Sequence, residues 1–327
     1  MEQRTDNEGI VIGIDGGGTH TRVMAADLNG NVLSYVEKGA SSIYKDVHAK
    51  ENVRSAIEEA LRLAGSEVSD VFALVAGIAG YDSEADKEWV LPLTEVEGLD
   101  CPKRHVNDAV VAHAGALLTE PGIVVIAGTG SIIYAVNEDG RAIRNYDLHH
   151  YAATAARTIA YETVYEILAG NIESQDQALV RETLQFWGAA SIRELSALAL
   201  QGFVPDERER NRRFAQLAPI ITRAAMQHSP LAQKVCDRAI HQIEVGVELL
   251  GAYFNASEVS VAFIGSVVDS RYYRQQLRRG RQKAGNNKAY WYIEPALSPV
   301  AGAVLLAWKA LKLPIASDML VQLSRHP

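Results

Sequence analysis

The sequence contains little cysteine, no long apolar run and no excess of basic residues, and each shortage excludes a class of protein. Only Cys101 and Cys236 are present, without the spacing of a metal or redox motif, which favours a reducing cytoplasm. No apolar run approaches the ~20 residues that span a bilayer. The polar first nine residues lack a signal-peptide core, and the net charge of −8 argues against a general nucleic-acid binder. We therefore expect a cytoplasmic protein with neither a nucleic-acid nor a membrane partner.

The composition is that of an ordinary globular protein. Hydrophobic residues make up 48% of the chain and charged residues 22%. A length of 327 residues allows two domains, each with its own core. Periodic apolar residues predict helices over 46–64, 84–93, 152–170, 174–186, 191–201, 206–228, 230–252, 271–283 and 299–311.

One stretch near the start, the first glycine loop (residues 15–21), combines an acid with glycines and hydroxyls. It follows a short apolar strand and contains Asp15, Gly16, Gly17, Gly18, Thr19 and Thr21. Successive glycines let the backbone approach a ligand closely and offer N–H groups to it, and the hydroxyls add donors. A carboxylate just before such a turn suits a hydrated divalent cation. The pattern predicts a phosphate site with Mg²⁺ held by Asp15, and an ordinary glycine-rich hairpin is the alternative.

A second stretch, the second glycine loop (residues 125–131), repeats this pattern within a strand–turn–strand of its own. Aligned on the first stretch without gaps, it places at the positions of Gly18 to Thr21 the residues Gly128, Thr129, Gly130 and Ser131. The acid is not repeated, because Val125 lies opposite Asp15 in this alignment. Internal repetition of this kind indicates two related domains that each offer a phosphate loop to one nucleotide.

The two glycine loops, in this order and spacing, resemble those of the actin/hexokinase/Hsp70 superfamily. Within it the chain is similar to the N-acetylglucosamine kinase-like group of the BadF/BadG/BcrA/BcrD ATPase family, over essentially its whole length. The resemblance implies an α/β fold of two ribonuclease-H-like (actin-like ATPase) domains with a nucleotide cleft between them. We expect a first domain over residues 1–118 and a second over 119–327, which contains a helical insertion that forms a homodimer face.

The activity that the resemblance implies is ATP- and Mg²⁺-dependent phosphorylation of a small sugar or amino sugar. Asn107 and Asp108 lie where a strand passes into a helix, so either suits a helix N-cap. A carboxylate at such a crevice can also accept the proton of an attacking hydroxyl. The resembled kinases carry their catalytic base in this segment, which maps to Asp108, and we expect Asn107 beside it to contact the substrate.

Two further substrate contacts are expected at the ends of apolar strands. Residues 72–80 read as a buried strand of a parallel sheet, whose C-terminal end faces the ligand crevice, so Gly80 is a candidate. The loop over residues 39–44 holds the sugar in the resembled kinases, usually through an asparagine. Ser41 and Ser42 stand there in this chain, so Ser42 is expected to make a shorter hydroxyl contact, and a solvated turn is the alternative.

A late strand over residues 259–268 contains Gly265 and Ser266, which match the adenosine motif of the superfamily, usually two glycines. Arg271 and Arg274 follow on a basic helix and are candidates to reach the nucleotide.

The chain departs from the resembled kinases over residues 145–157. Those kinases have a Gly-Gly-Trp-Gly turn and then a Gly-Asp-Glu-Gly-Ser loop that grips the sugar, and both are absent here. Of the remaining polar side chains, we expect Asp147, with His149 and Thr154, to meet the substrate. The departure predicts a changed preference, with N-acetylglucosamine a poor substrate. A nucleotide-binding sensor or regulatory protein without kinase activity is the alternative function.

Overall fold

The computed structural model describes residues 9–277, 282–284 and 288–326, and these form two compact units. Unit 1 comprises the residues up to Glu120 together with those from Glu294 onward, and unit 2 comprises Pro121–Ile293. The first boundary therefore lies two residues beyond the predicted one. The C-terminal segment differs more, since the structure groups it with unit 1 and not with the second domain.

Unit 1 is built on a five-stranded mixed sheet with helices on both faces. Its strands, in the spatial order β3-β2-β1-β4-β5, are β1 (Ile10–Gly16), β2 (Thr21–Asp27), β3 (Val32–Lys38), β4 (Val71–Ile78) and β5 (Lys103–Asn107). Its helices are α1 (Ala49–Ala64), α2 (Lys87–Val90), α3 (Asp108–Leu117), α11 (Pro299–Ala310) and α12 (Ser317–Ser324). Helices cover both faces, so the central strand β1 is buried at every position and shows no polar alternation.

Glycines explain why α11 packs within unit 1. A Cβ added to Gly13 of β1 would lie 2.6 Å from the backbone nitrogen of Val304 on α11. A Cβ added to Gly302 would lie 2.1 Å from the carbonyl oxygen of Val111 on α3. Only glycine permits backbones to approach this closely, so α11 fits against both the sheet and α3.

Unit 2 is built on a six-stranded sheet with a large helical block. Its strands, in the spatial order β10-β11-β9-β6-β7-β8, are β6 (Gly122–Ala127), β7 (Ser131–Val136), β8 (Ala142–Arg144), β9 (Glu258–Ile264), β10 (Gln282–Ala284) and β11 (Ala289–Ile293). Its helices are α4 (Ala156–Leu168), α5 (Gln177–Trp187), α6 (Ile192–Leu200), α7 (Glu207–Ala215), α8 (Ala218–Met226), α9 (Pro230–Gly251) and α10 (Arg271–Leu277). Strands β6 and β9 are parallel neighbours, so their C-terminal ends lie side by side.

Some predicted helices differ from the observed ones for identifiable reasons. The single helix predicted over 206–228 is two helices, α7 and α8, because Pro219 in the first turn of α8 has no N–H to continue α7. The helix predicted over 84–93 is the short α2 between two 3-10 turns. The helix predicted over 271–283 is described as α10 up to Leu277. The next residues lie outside the described ones, and residues 282–284 form β10. Among the described residues, no helix is long and apolar enough to cross a membrane.

Candidate active site

In unit 1 the first glycine loop connects the central strand β1 to β2. Gly17 donates a hydrogen bond from its N–H to the carbonyl of His20 at 2.8 Å, which closes the turn. Gly16 has to be glycine, since a Cβ there would lie 2.5 Å from the hydroxyl oxygen of Ser41. The N–H of Ser41 in turn donates to the carbonyl of Gly17 at 3.2 Å. Ser41 is fully buried and therefore supports the glycine loop.

The two threonines of this loop differ in environment. Thr19 is exposed and Gly17 and Gly18 are partly exposed, as a ligand-binding loop requires. Thr21 is fully buried, and its hydroxyl has no hydrogen-bond partner among the described residues. This burial does not support the predicted contact of Thr21 with phosphate.

Asp15 is buried and is held by an ion pair across the hairpin. Arg22, its neighbour in the antiparallel register, places Nη1 3.2 Å from Oδ2 of Asp15. The Nε of Arg22 lies 2.9 Å from Oε2 of Glu37, the next neighbour across the sheet. Burial raises the pKa of Asp15, and the contact with Arg22 offsets part of that increase. The positions of Arg22 and Glu37 beside Asp15 were not predicted. The hairpin register between β1 and β2 would have placed Arg22 opposite Asp15.

The donor chemistry around Asp15 fits a hydrated Mg²⁺. This ion prefers oxygen ligands, keeps several waters and is bound in proteins by one or two carboxylates together with substrate phosphates. Asp15 supplies one such carboxylate at the end of β1. Within the described residues no group of three or more His, Cys, Asp and Glu side chains could enclose a metal ion.

Asp108 is the first residue of α3, and Asn107 is the N-cap. The side-chain oxygen of Asn107 accepts a hydrogen bond from the N–H of Ala109 at 2.9 Å, so Asp108 is not needed as a cap. Burial, and then the negative charge of Asp15, raise the pKa of Asp108 to about 7. A carboxyl group with this pKa is poised to accept a proton near neutral pH.

Asn107 uses its amide within the fold. Its Nδ2 donates to the carbonyl of Tyr81 at 3.3 Å and to the carboxylate of Asp82 at 3.1 Å. Asn107 thereby ties the turn that follows β4 to the start of α3. These contacts support a positioning role beside Asp108, whereas its predicted contact with substrate stays a prediction.

Gly80 lies next to Ser42, Tyr44 and Trp89, and these four residues are called the Gly80 cluster. A Cβ added to Gly80 would lie 3.9 Å from the nearest atom of each of the other three, an ordinary van der Waals distance. The rings of Tyr44 and Trp89 meet edge to face, with centroids 5.7 Å apart. Nε1 of Trp89 donates to Asp86 at 3.2 Å, which fixes the indole. Gly80 and Ser42 were predicted as substrate contacts. Tyr44 and Trp89 were not, because no sequence motif marks these two aromatic residues.

In unit 2 the second glycine loop lies against the predicted adenosine motif. Gly265 has a φ of +118°, and a Cβ there would lie 2.5 Å from the carbonyl oxygen of Ala127. The N–H of Val267 donates to that same carbonyl at 3.0 Å. A Cβ added to Gly128 would lie 3.5 Å from the nitrogen of Ser266. The structure thus brings Gly128, Gly265 and Ser266 together, as expected for parallel strands β6 and β9 that end side by side.

The register of the two hairpins corrects the gapless alignment of the glycine loops. Gly16 pairs with Thr21, whereas Ala127 pairs with Ser131, so the first turn is one residue longer than the second. Counted from these pairs, the residue that matches Asp15 is Ile126 and not Val125. Both are apolar, so the conclusion that the second loop lacks the acid is unchanged.

Three other candidates lie in local contacts of unit 2. Asp147 accepts hydrogen bonds from Arg144, from its N–H at 2.8 Å and its Nη2 at 2.9 Å. Burial raises the pKa of Asp147, but its contacts with Arg144 lower that pKa by more, so the net change is a decrease.

Arg274 is paired with Asp269 at 2.8 Å. Arg271 lines a cavity of about 450 Å³ together with Thr222, Arg223 and Met226 of α8 and with Gln227, which follows that helix.

The chain is similar to known proteins in both sequence and structure. The model of the BadF/BadG/BcrA/BcrD ATPase family matches residues 12–307. An N-acetylmuramic acid/N-acetylglucosamine kinase of Clostridium acetobutylicum is 37% identical over 137 residues, which are 41% of this chain and 45% of that kinase. An N-acetyl-D-glucosamine kinase of Dictyostelium discoideum is 29% identical over 231 residues, 64% of this chain and 69% of that kinase. The chain thus spans less than half the length of the first of these relatives.

Solved structures resemble the whole chain. A Chromobacterium violaceum protein, described provisionally as an N-acetylglucosamine kinase, has a TM-score of 0.72 at 24% identity and covers 91% of this chain and 99% of its own. A glucokinase of the ROK family from Streptomyces griseus, solved with glucose and AMPPNP, has a TM-score of 0.54 at 19% identity over 91% of this chain and 98% of its own. These likenesses confirm the predicted fold class, α/β with two actin-like ATPase domains.

Proposed function

Because the chain belongs to the BadF/BadG/BcrA/BcrD ATPase family, we propose that it transfers the γ-phosphoryl group of ATP to a hydroxyl of a sugar or amino sugar. The observation that carries this proposal is Asp108, a carboxyl group at the start of α3 with its pKa raised to about 7. The names of the two curated relatives, both kinases of amino sugars, support the same reaction.

The residues of the chain take defined roles in this reaction. In unit 1 the partly exposed Gly17 and Gly18 and the exposed Thr19 have a phosphate-binding role in this proposal. In unit 2 Gly128 to Ser131 have the same role, and Gly265 with Ser266 has an adenosine-binding role. Asp15 would hold Mg²⁺, and the bound ion would supply charge neutralisation at the phosphates. The acceptor hydroxyl attacks the γ-phosphorus, the bond to the ADP oxygen breaks, and the hydroxyl proton passes to Asp108.

The sugar binds beside Asp108, at the Gly80 cluster. Aromatic side chains offer flat apolar surface with few rotatable bonds, and Trp89 is already fixed by Asp86. Ser42 supplies the hydroxyl that the sequence pattern predicted. Hydrogen bonds that hold an amide and several hydroxyls are costly to lose, about 1–3 kcal/mol each. Since the charged Asp-Glu pair of the resembled kinases is missing, we expect N-acetylglucosamine to be a poor substrate.

ADP release measured over a panel of hexoses and amino sugars, with Mg²⁺ and with EDTA, tests this function. A sugar-dependent and Mg²⁺-dependent signal that the Asp108→Asn variant lacks supports the kinase. A specificity constant of ~10⁴ M⁻¹s⁻¹ or above for N-acetylglucosamine would show that the substrate prediction is wrong. Size-exclusion chromatography with light scattering tests the proposed homodimer, and cell fractionation tests the proposed cytoplasmic location.

A nucleotide-binding regulatory protein is the second candidate. The contacts of Asp147 with Arg144 favour it, since they occupy a side chain that was expected to replace the missing sugar-gripping loop. Calorimetry separates the two functions. ATP that binds with no turnover on any sugar of the panel would favour the regulator.

A further inference from the structure

Residues 145–157, where the chain departs from the resembled kinases, bind to the second glycine loop. The phenol of Tyr146 donates a hydrogen bond to the carbonyl oxygen of Ser131. The hydroxyl of Thr154 is hydrogen-bonded to the hydroxyl of Ser131. The N–H of Ala156, the first residue of α4, donates to the carbonyl of Gly128 at 2.8 Å. Gly128 and Ser131 of the glycine loop are therefore both hydrogen-bonded to this segment.

Asn145 extends this set of contacts to the strand that follows the loop. It is fully buried, and its Oδ1 accepts a hydrogen bond from the N–H of Ile133 at 3.0 Å. Its Nδ2 donates to the carbonyl of His150 at 2.7 Å, which closes the segment on itself. The segment is thus folded against the loop and the start of β7 by both main-chain and side-chain groups.

Thr154 shows what this arrangement implies for function. Thr154 is only 1% exposed, and its hydroxyl is hydrogen-bonded to the hydroxyl of Ser131. The expectation that Thr154 meets a sugar therefore does not fit its position. A buried hydroxyl that contacts a predicted phosphate loop affects how that loop is held.

We propose that residues 145–157 hold the second glycine loop in its nucleotide-binding form, and that Thr154 and Tyr146 are positioning residues for the nucleotide. The inference rests on the proposed function, because it takes residues 128–131 as a phosphate-binding loop. A loop held in its bound form loses less conformational freedom when ligand binds, so affinity increases without any new contact to the ligand. In this chain a segment that grips sugar in the resembled kinases serves the other substrate.

Five variants test the proposal: two remove a hydroxyl that contacts the loop, one restores it, and two are controls. Thr154→Val and Tyr146→Phe keep shape and remove the hydrogen bonds to Ser131, and Thr154→Ser restores the hydroxyl. Thr163→Val is the matched threonine control, because the Thr163 hydroxyl donates to the carbonyl of Ile159 in its own helix and, in the described part of the chain, has no hydrogen bond to the glycine loop. Tyr165→Phe is the tyrosine control, because Tyr165 is exposed on the same helix.

Calorimetric titration with ADP and with ATP in the presence of Mg²⁺ gives the first readout. We expect the dissociation constant to rise about 3- to 10-fold in Thr154→Val and in Tyr146→Phe, as for the loss of one neutral hydrogen bond. Thr154→Ser and both controls are expected to stay near the wild-type value. The KM for the sugar is expected to stay unchanged. Unaltered nucleotide affinity in both variants, or a change confined to the sugar, would overturn the proposal.

Amide hydrogen exchange without nucleotide gives a second readout that does not depend on activity. Residues 128–133 are expected to exchange faster in Thr154→Val than in the wild-type protein, while α9 keeps its protection. Equal exchange over 128–133 would overturn the proposal even if the fold is intact. A wild-type protein that binds no nucleotide would contradict the proposed function instead, and the exchange result would still decide whether the segment holds the loop.

Discussion

The two glycine loops share a hairpin design and differ in how they are supported. The first loop begins at a buried carboxylate, Asp15, that is paired with Arg22. The second has Ile126 and Ile132 at the matching cross-strand positions and is held by the hydroxyls of a following segment. The same backbone hairpin is thus stabilised by the Asp15–Arg22 ion pair in unit 1 and by neutral hydrogen bonds in unit 2. A repeat in sequence therefore predicts shared geometry better than it predicts shared chemistry.

The charged side of this comparison predicts the largest effect. Asp108→Asn keeps the shape of the side chain and removes the group that accepts a proton, which typically lowers turnover ~10²–10⁴-fold. The dissociation constant of ATP–Mg²⁺ is expected to change little. Steady-state kinetics with the best sugar of the panel, alongside calorimetry, measure both quantities. Full activity in this variant would leave Asp108 with no chemical role.

We expect Asp15 to be needed for Mg²⁺ binding. Ile126, its counterpart in the second loop, should not be needed. In Asp15→Ala we expect Mg²⁺-dependent ATP binding to weaken about 10- to 100-fold, as for loss of a charge-assisted contact of about 1.5–3 kcal/mol. Ile126→Ala is the matched control and should leave the Mg²⁺ dependence unchanged. Calorimetric titrations of ATP at fixed low and high Mg²⁺ separate the metal effect from nucleotide affinity. If both substitutions changed the Mg²⁺ dependence of ATP binding equally, the proposed difference between the two loops would be wrong.

The pH dependence of turnover gives a third test. Asp108 must be ionised to accept a proton, and its pKa is raised to about 7. Turnover should therefore rise about tenfold per pH unit below pH 7 and level off above it. A kcat profile that is flat from pH 5.5 to 8 would show that another group accepts the proton.

The same raised pKa makes a prediction for stability. The folded protein binds the Asp108 proton more tightly than the unfolded chain, so this residue lowers the free energy of unfolding as pH rises from about 4 to about 7. Asp108→Asn removes this cost and should unfold at a higher temperature than the wild-type protein at pH 8. At pH 4 the two proteins should unfold at similar temperatures. Thermal scans at both pH values check the sign.

A smaller effect is expected from glycine substitution around the second loop. Gly265→Ala forces a Cβ to within 2.5 Å of the Ala127 carbonyl at a φ of +118°, a strain of about 1–3 kcal/mol. Gly130→Ala meets nothing within 4 Å and should be tolerated. Urea unfolding of the two variants measures the difference. Equal stabilities would mean that the backbone around Ala127 can move without cost.

Motifs predicted most of the fold and the central residues of the candidate site. The first glycine loop and the buried strand before it have local signatures, so Asp15 was proposed from the pattern itself. Asp108 and Gly265 were proposed from the resemblance, and the roles of all three stay predictions. Arg22 and Trp89 were missed, since their roles depend on hairpin register and on packing between distant segments. Thr154 was expected at the sugar because it is one of the few polar side chains in the segment that replaces the sugar-gripping loop, and only the structure shows that its hydroxyl contacts Ser131.

The return of α11 to unit 1 has a consequence for how the chain folds. The indole N–H of Trp308 donates to the carbonyl of Asp27, a contact across 281 positions of the sequence. Residues 121–293, by contrast, form a continuous stretch that is complete before α11 is made. During synthesis from the N-terminus, unit 2 therefore has all its parts before unit 1 does. The face of β1 around Gly13 stays uncovered until the last helices emerge, which makes unit 1 the later unit to complete its core.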